Sequence, residues 1–466
     1  MTEAAAATSL PEPSQRELRK TIFAMIWPVA MENVLQMLIG FVNTAMVGRL
    51  GAATILAVGL SGRVAMFVWI IFGAIGTGAT VLVARALGAG DRAHVRRVAQ
   101  QALLLALALM GVVAGIAFVF ARPLLGMFKA TPDAMPIGIV YLRILAFSMP
   151  FQAIYLVISA ILRGTGNTRT PFQIAVAINL INVAANSVLI FGRLGVPALG
   201  YRGSAFATII AQACGALIAA WYLYSHRSGV ELRGGGRIAP DAQLMRRILS
   251  IGIPSSAEMF FWQIANIILF RLINSFGTIA GAAHQLGVQA EGISYMPSAG
   301  FGIAATALIG RSLGARNVHL AERYIKEIIR WGVALTICTS AALVLIPRQL
   351  MGLLTNDRDV IMLGAQYLML MGLSQVPQQI SGTLGGSLRG AGDTVTSMVA
   401  AGVGIWAFRI PFAFMLAQRF HLGIYGAWWA INIDQYVRLL IVGGRYLSGK
   451  WRSAVGDGLG QAAQQG

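Results

Sequence analysis

The chain has 466 residues, of which 57% are hydrophobic and 11% charged, with a mean hydropathy of +0.70 and a formal net charge of +19. An ordinary soluble domain is about 25% charged, so long apolar runs with charges confined between them exclude a string of soluble domains. They describe a polytopic membrane protein. The basic excess lies mostly in the connections and shows no aromatic-interleaved patch, so membrane topology accounts for it better than nucleic-acid binding does.

The opening residues do not read as a cleaved signal. Acidic and polar residues precede Arg16, Arg19 and Lys20, and the apolar run after them is too long for a signal core. Residues 1–20 are therefore expected to be a cytoplasmic tail. The pattern then predicts helices at 22–47, 54–84, 98–120, 137–160, 170–190 and 203–224, and again at 247–273, 280–310, 328–346, 360–385, 396–417 and 424–446. Short surface helices are expected around Pro123 to Pro136 and in the matching stretch from Pro347. Between the halves, 225–246 contains Gly234-Gly235-Gly236 and reads as a flexible cytoplasmic tether. The expected division is a tail at 1–20, a six-helix lobe at 21–224, the linker at 225–246, a second six-helix lobe at 247–446 and a cytoplasmic tail at 447–466. Cys214 and Cys338 both fall inside apolar segments, where small buried hydrophobes are expected and a disulfide or metal site is not.

Lys and Arg number 22 on one side of this topology and 8 on the other, with 6 in or at the ends of helices. Positive residues favour the cytoplasmic side, which places both termini inside. The two halves are also related in sequence. Leu162-Arg163-Gly164-Thr165-Gly166-Asn167-Thr168 returns as Leu388-Arg389-Gly390-Ala391-Gly392-Asp393-Thr394, displaced by 226 residues. The same displacement carries Pro28 onto Pro254, Glu32 onto Glu258, Gln152 onto Gln378, and Arg85-Ala86-Leu87-Gly88-Ala89 onto Arg311-Ser312-Leu313-Gly314-Ala315. This is an internal duplication, and an even number of spans gives both copies the same orientation. The expected fold is thus all-α: twelve transmembrane helices in two parallel six-helix repeats, related by a pseudo-two-fold along the membrane normal.

In the repeated loops the glycines permit positive φ, and Asn167 and Asp393 can cap the next helix. The arginines can reach anionic head groups. The Arg85 and Arg311 segments lack the lysine and hydroxyl order of a phosphate-binding loop, so a tight connection is expected there.

Ionisable groups at membrane depth are costly and mark function by default. Glu32 and Glu258 each follow a proline by four residues, which places equivalent acids beside backbone carbonyls freed by the proline. Their structural alternative is a pair with an arginine near a helix end, such as Arg63 or Arg271. His284 and Glu291 lie seven residues apart on one helix face, flanked by Gln285 and Gln289. A histidine and a nearby carboxylate could hold a proton or an organic cation, while packing alone could also account for His284. Asp434 and Arg438, spaced i,i+4, suit a self-neutralising pair. Asn179, Asn182 and Asn186 form a polar stripe to which Asn43 could belong. Trp262 and Tyr295 could face an organic cation or lipid. Pro150 and Pro377 are candidate bend points.

With its duplicated Leu-Arg-Gly-x-Gly-x-Thr loops, Gly40-Phe41-Val42-Asn43-Thr44-Ala45-Met46-Val47-Gly48-Arg49-Leu50-Gly51, Gly252-Ile253-Pro254 and Tyr295-Met296-Pro297, the chain resembles the multidrug and toxic compound extrusion (MATE) transporters over about residues 20–445. The resemblance implies a two-lobed, twelve-helix exporter with a central cavity that faces each side in turn. Such a protein expels cationic or amphipathic organic compounds in exchange for protons or sodium, and needs no other cofactor. Many relatives carry an aspartate at the position of Asn43, and some carry acids at those of Trp262 and Gln378. Coupling is accordingly expected to rest on Glu258, Glu291 and Glu32. The expected setting is a bacterial inner membrane, with lipids and small organic cations as partners, no nucleic acid, no ATP-binding subunit, and a monomer as the simplest state. A flippase of a lipid-linked intermediate and a non-transporting membrane receptor or assembly protein are the alternatives; no enzyme is expected.

Overall fold

The computed structural model describes residues 13–48, 50–128, 131–193, 195–225, 230 and 239–455. Arg49, Lys129, Arg227, Arg233 and Arg237 of the charge count, the glycine run at 234–236 and most of both tails lie outside the described residues. The first half forms α1 (Gln15–Gly48), α2 (Ala52–Gly88), α3 (Arg92–Val119), α4 (Ala121–Met127), α5 (Ala134–Ala146), α6 (Met149–Gly164), α7 (Arg169–Phe191) and α8 (Gly200–Tyr224). The second half forms α9 (Ala242–Asn274), α10 (Thr278–Gly314), α11 (Val318–Leu345), α12 (Pro347–Gly352), α13 (Arg358–Gly390), α14 (Thr394–Arg419) and α15 (Ile424–Leu447). A 3₁₀ turn at Lys450–Val455 follows.

Among the described residues, ten helices are long and apolar enough to cross a membrane, or eleven if α5 and α6 count as one bent span. Helix α15 falls short of that test because Asn432, Asp434, Arg438 and Arg445 interrupt its apolar run. The expected single helix at 137–160 is instead broken at Phe147–Ser148 and bent by 49°, just before Pro150. At Pro377 the expectation is not met by a break: α13 runs as one helix through it. Short helices α4 and α12 occupy the two stretches where surface helices were expected.

Side-chain caps punctuate the chain where the sequence supplies them. Asp91 and Asn317 open α3 and α11 by accepting from the backbone N–H groups of His94 and Leu320, each at 2.8 Å. In the repeated loops Asn167 accepts from the Thr170 N–H and Asp393 from the Thr396 N–H. Gly166 and Gly392 stand at φ of 90° and 79°, where a side chain would be strained.

The two halves repeat tertiary contacts as well as sequence. The Thr80 hydroxyl donates to the Ala160 carbonyl at 2.9 Å, and the Thr306 hydroxyl to the Gly386 carbonyl at 2.9 Å. Each half also lends its opening helix to the other. Leu18, Ile22, Met25 and Ile26 of α1 are buried with Phe301, Ile309 and Ile325, whereas Leu244, Ile248 and Ile251 of α9 are buried with Ile75, Val98 and Leu223. Equivalent polar residues hold these crossings. Glu327 of α11 takes the Arg19 Nε–H at 2.6 Å, and Gln101 of α3 brackets the start of α9 by donating to the Ala239 carbonyl and accepting from the Asp241 N–H.

Backbones approach closely where α2 and α10 end together, as they also do where α9 crosses α2 at Gly252 and Gly78. A methyl group added at Gly88 would overlap the Arg311 carbonyl, and one at Gly314 would overlap the Arg85 carbonyl. The Arg85 guanidinium crosses the same seam to donate to the carbonyls of Gly390 and Ala391. Small residues allow such backbone approach between helices in lipid.

The cysteines correct the sequence reading. Both are free, but Cys214 is half-buried and Cys338 is exposed on the apolar helix α11. A membrane helix can turn apolar side chains outward at no hydrophobic cost, so apolar surroundings in sequence do not imply burial.

Candidate functional site

Each copy brings its proline-following acid to the arginine of its own repeated loop. Arg163 donates through Nη2 to both oxygens of Glu32, at 2.8 and 2.7 Å, and the Tyr155 hydroxyl donates to Oε1 at 3.3 Å. In the second copy Arg389 Nη1 reaches Glu258 Oε2 at 3.3 Å. Both partners are separated by 131 residues in the chain. This corrects two expectations. The arginines turn inward to an acid and not outward to head groups, and the acids find Arg163 and Arg389 in place of Arg63 or Arg271, which are exposed. The pairs differ in closure. The Glu32 side chain is 4% exposed and that of Glu258 29%.

Glu291 lies on the same α10 face as His284, as the spacing implied, and one tyrosine joins them. The Tyr367 hydroxyl donates to Glu291 Oε2 at 2.6 Å, and its ring meets His284 edge-on at 5.2 Å between centroids. Gln375 Nε2 donates to Glu291 Oε1 at 2.8 Å. Among the described residues no Lys, Arg or His comes within 4 Å of Glu291 as an ion-pair partner, unlike Glu32, Glu258 and Asp434. Glu291 is thus a membrane-depth acid held by neutral donors. Its negative charge has no direct ion-pair partner among the described residues, Arg409 acting on it only from a distance, and an acid so placed can exchange a proton or attract a cation. Tyr295, one turn further along α10, is exposed.

Asp434 does pair with Arg438, at 2.9 Å, but it also holds Arg409 at 2.6 Å. Arg409 ends a π-helical stretch, Val403–Arg409, within α14. The wide turn shifts its side chain off the ordinary helical register and toward α15. Gly404 keeps the space open, since a methyl group there would collide with Asp434 Oδ1. Among the described residues Arg409 Nε, Arg438 Nη2, Trp428 Nε1, His284 Nδ1 and Asp434 Oδ2 itself are buried without a hydrogen-bond partner, so the trio is held by charge more than by directed hydrogen bonds.

In the first copy the corresponding polar centre is uncharged. Asn186 donates to Asn43 Oδ1 at 3.1 Å and to Asn182 Oδ1 at 3.0 Å, while Asn179 is half-buried one turn earlier on α7. The remaining residues lie around rather than within these networks. Gln285 and Trp262 are exposed, and Gln289 and Gln378 half-buried. Sequence reasoning missed Tyr155, Tyr367, Gln375 and Arg409. The duplication could have found Arg163 and Arg389 as partners, because acid and arginine travel together at one displacement.

The MatE family model matches residues 28–188 and 254–415, once in each half and at the displacement of the duplication. The probable multidrug resistance protein NorM of Thermotoga maritima is 33% identical over 448 residues, covering 95% of each chain. Among solved structures, the Vibrio cholerae MATE transporter VcmN in its bent form superposes with a TM-score of 0.87 at 21% identity, over 94% of this chain and 98% of that one. An outward-facing multidrug resistance MATE transporter of the MOP superfamily gives 0.85 at 23% identity, over 94% and 97%. These structural likenesses concern the fold. The family matches in both halves, together with the full-length relative, identify the chain as a member of the MatE family, the multidrug and toxic compound extrusion transporters, and so as a transporter and not an enzyme.

Proposed function

We propose that this protein is a cation-coupled exporter of cationic or amphipathic organic compounds working by alternating access. In this reading α15 completes twelve spans. Six-helix halves at 21–224 and 247–446 are related by a pseudo-two-fold along the membrane normal, and 225–246 and both termini lie in the cytoplasm of a bacterial inner membrane. The carrying observation is the pair of acids in the second half: Glu291, whose hydrogen bonds come from neutral donors, and Glu258, part-exposed and held by one long contact to Arg389. A proton or sodium ion taken up there competes with an organic cation for the same negative charge, so each favours release of the other. His284, Gln285, Gln289, Gln378, Asp434 and Trp262 surround the exchange region. Asn43, Asn179 and Asn182 serve the first half as a neutral polar centre. The close approach at Gly88 and Gly314, at the end this reading assigns to the cytoplasm, supports an outward-facing arrangement.

The test is export of ethidium from proteoliposomes under separately imposed proton and sodium gradients. Export driven by either gradient supports the reading, and indifference to both overturns it. Translocation of a polyprenyl-linked saccharide without ion dependence would favour a flippase, and absence of any flux a non-transporting role.

A further inference from the structure

The duplication supplies an internal control for the Glu258–Arg389 pair. At the first-copy position a tyrosine, Tyr155, adds a third partner to the acid; the equivalent residue in the second copy, at the same displacement, is Ser381. The first pair is doubly bonded at 2.7 and 2.8 Å, and its acid is almost sealed. The second is singly bonded at 3.3 Å, with its acid 29% exposed; the two arginines are alike in exposure, 20% for Arg389 and 22% for Arg163, so the difference lies at the acid. Equivalent chemistry has therefore been left tight in one half and loose in the other. Two short charge-assisted contacts to a sealed acid are the stronger form of this interaction, and a single stretched contact to a part-solvated acid is the weak one.

From this difference we infer that Arg389 is a tethered counter-ion of Glu258 which an incoming organic cation must displace, so that Arg389 sets the affinity of the site, whereas Arg163 is a fixed tie. The inference rests on the reading of Glu258 under Proposed function and deepens it. A guanidinium on a flexible stem occupies the acid while the site is empty, sparing it an uncompensated charge, and swings aside when a cation with greater apolar surface takes its place. Because the contact is weak, the displacement costs little. A sealed pair with two short contacts, such as Glu32–Arg163, would hold the acid against a competitor far better. No bond is made or broken in the exchange, and charge is conserved at the acid: one cation leaves as another arrives.

The test is binding of tetraphenylphosphonium to the full-length protein in lipid nanodiscs, by calorimetry at one pH in sodium-free buffer. Removing the competitor in Arg389→Gln is expected to tighten binding by on the order of fivefold. Arg389→Lys, which keeps the charge, should stay nearer the wild type. Glu258→Gln should weaken binding, and Arg389→Gln combined with Glu258→Gln should bind no better than Glu258→Gln alone. Should Arg389→Gln not yield folded protein, Arg389→Met removes the same charge while keeping the apolar stem. Weakened binding in Glu258→Gln without any tightening on loss of Arg389 overturns this inference alone. Unchanged binding in Glu258→Gln overturns the assignment of Glu258 itself, and the inference with it.

Discussion

The hydroxyl of Tyr367 on α13 donates to Glu291 Oε2 on α10 at 2.6 Å, fixing a membrane-depth acid with a neutral partner. Glu291→Gln keeps an oxygen for this bond but removes the exchangeable proton. Gradient-driven ethidium export should fall by about tenfold or more, the scale of a coupling free energy of ~1–3 kcal/mol. Equilibrium binding of tetraphenylphosphonium should change far less. Equal loss in both measurements would make Glu291 a substrate ligand and not a coupling group.

Tyr367→Phe removes the donor and leaves Glu291 with Gln375 alone. A buried hydrogen bond to an acid lost in this way should cost about 1–3 kcal/mol. The check is a lower midpoint in thermal unfolding of the purified protein.

Asp434 is the one counter-charge shared by two guanidinium groups, so its removal leaves buried Arg409 and part-buried Arg438 without any. Asp434→Ala should destabilise by about 3–5 kcal/mol, the range for breaking one partner out of a buried pair. Asp434→Ala combined with Arg409→Met should recover part of that loss. An unchanged unfolding midpoint in the single variant would show that these groups reach solvent in the working protein.

Glu32→Gln separates the two copies. It breaks the buried ion pair with Arg163 and should lower the unfolding midpoint, yet leave ion-driven export of the folded protein largely intact. Selective loss of coupling with normal stability would move Glu32 into the exchange pathway.

The seam between α2 and α10 gives a conformational prediction. Gly88→Val places a side chain where the Arg311 carbonyl stands, and Gly314→Val does the same to the Arg85 carbonyl. Either should push the two helix ends apart. Spin-label distances across them, on a background with Cys214 and Cys338 replaced, should lengthen and broaden.

Much of the architecture was open to reading from the residues themselves. Apolar runs and the displacement that carries Pro28 and Glu32 onto Pro254 and Glu258 mark the spans and the two copies. Positive φ at Gly166 and Gly392, and the caps at Asn167 and Asp393, follow from local chemistry. Partners across the bundle were less legible. Nothing in the spacing of α14 marks the π-helical turn that aims Arg409 at Asp434, because hydropathy does not register how a helix winds. Tyr367 and Gln375 lie in an apolar segment where a tyrosine or glutamine fits many roles, and only packing against α10 selects theirs. Proline is similarly ambiguous: near Pro150 the chain breaks, while Pro377 sits inside a continuous helix.

The charged trio formed by Arg409, Asp434 and Arg438 also bears on how the protein is made. Moving one such side chain to the bilayer centre on a solitary helix costs about 2.5–3.5 kcal/mol, and α15 carries two of them on an apolar background too thin to compensate. Threaded singly, it would stall at the interface. In the twelve-span reading proposed above, entry with α14 as a hairpin brings the three charges in already reduced to a single excess, so joint insertion of these two segments is the expected route.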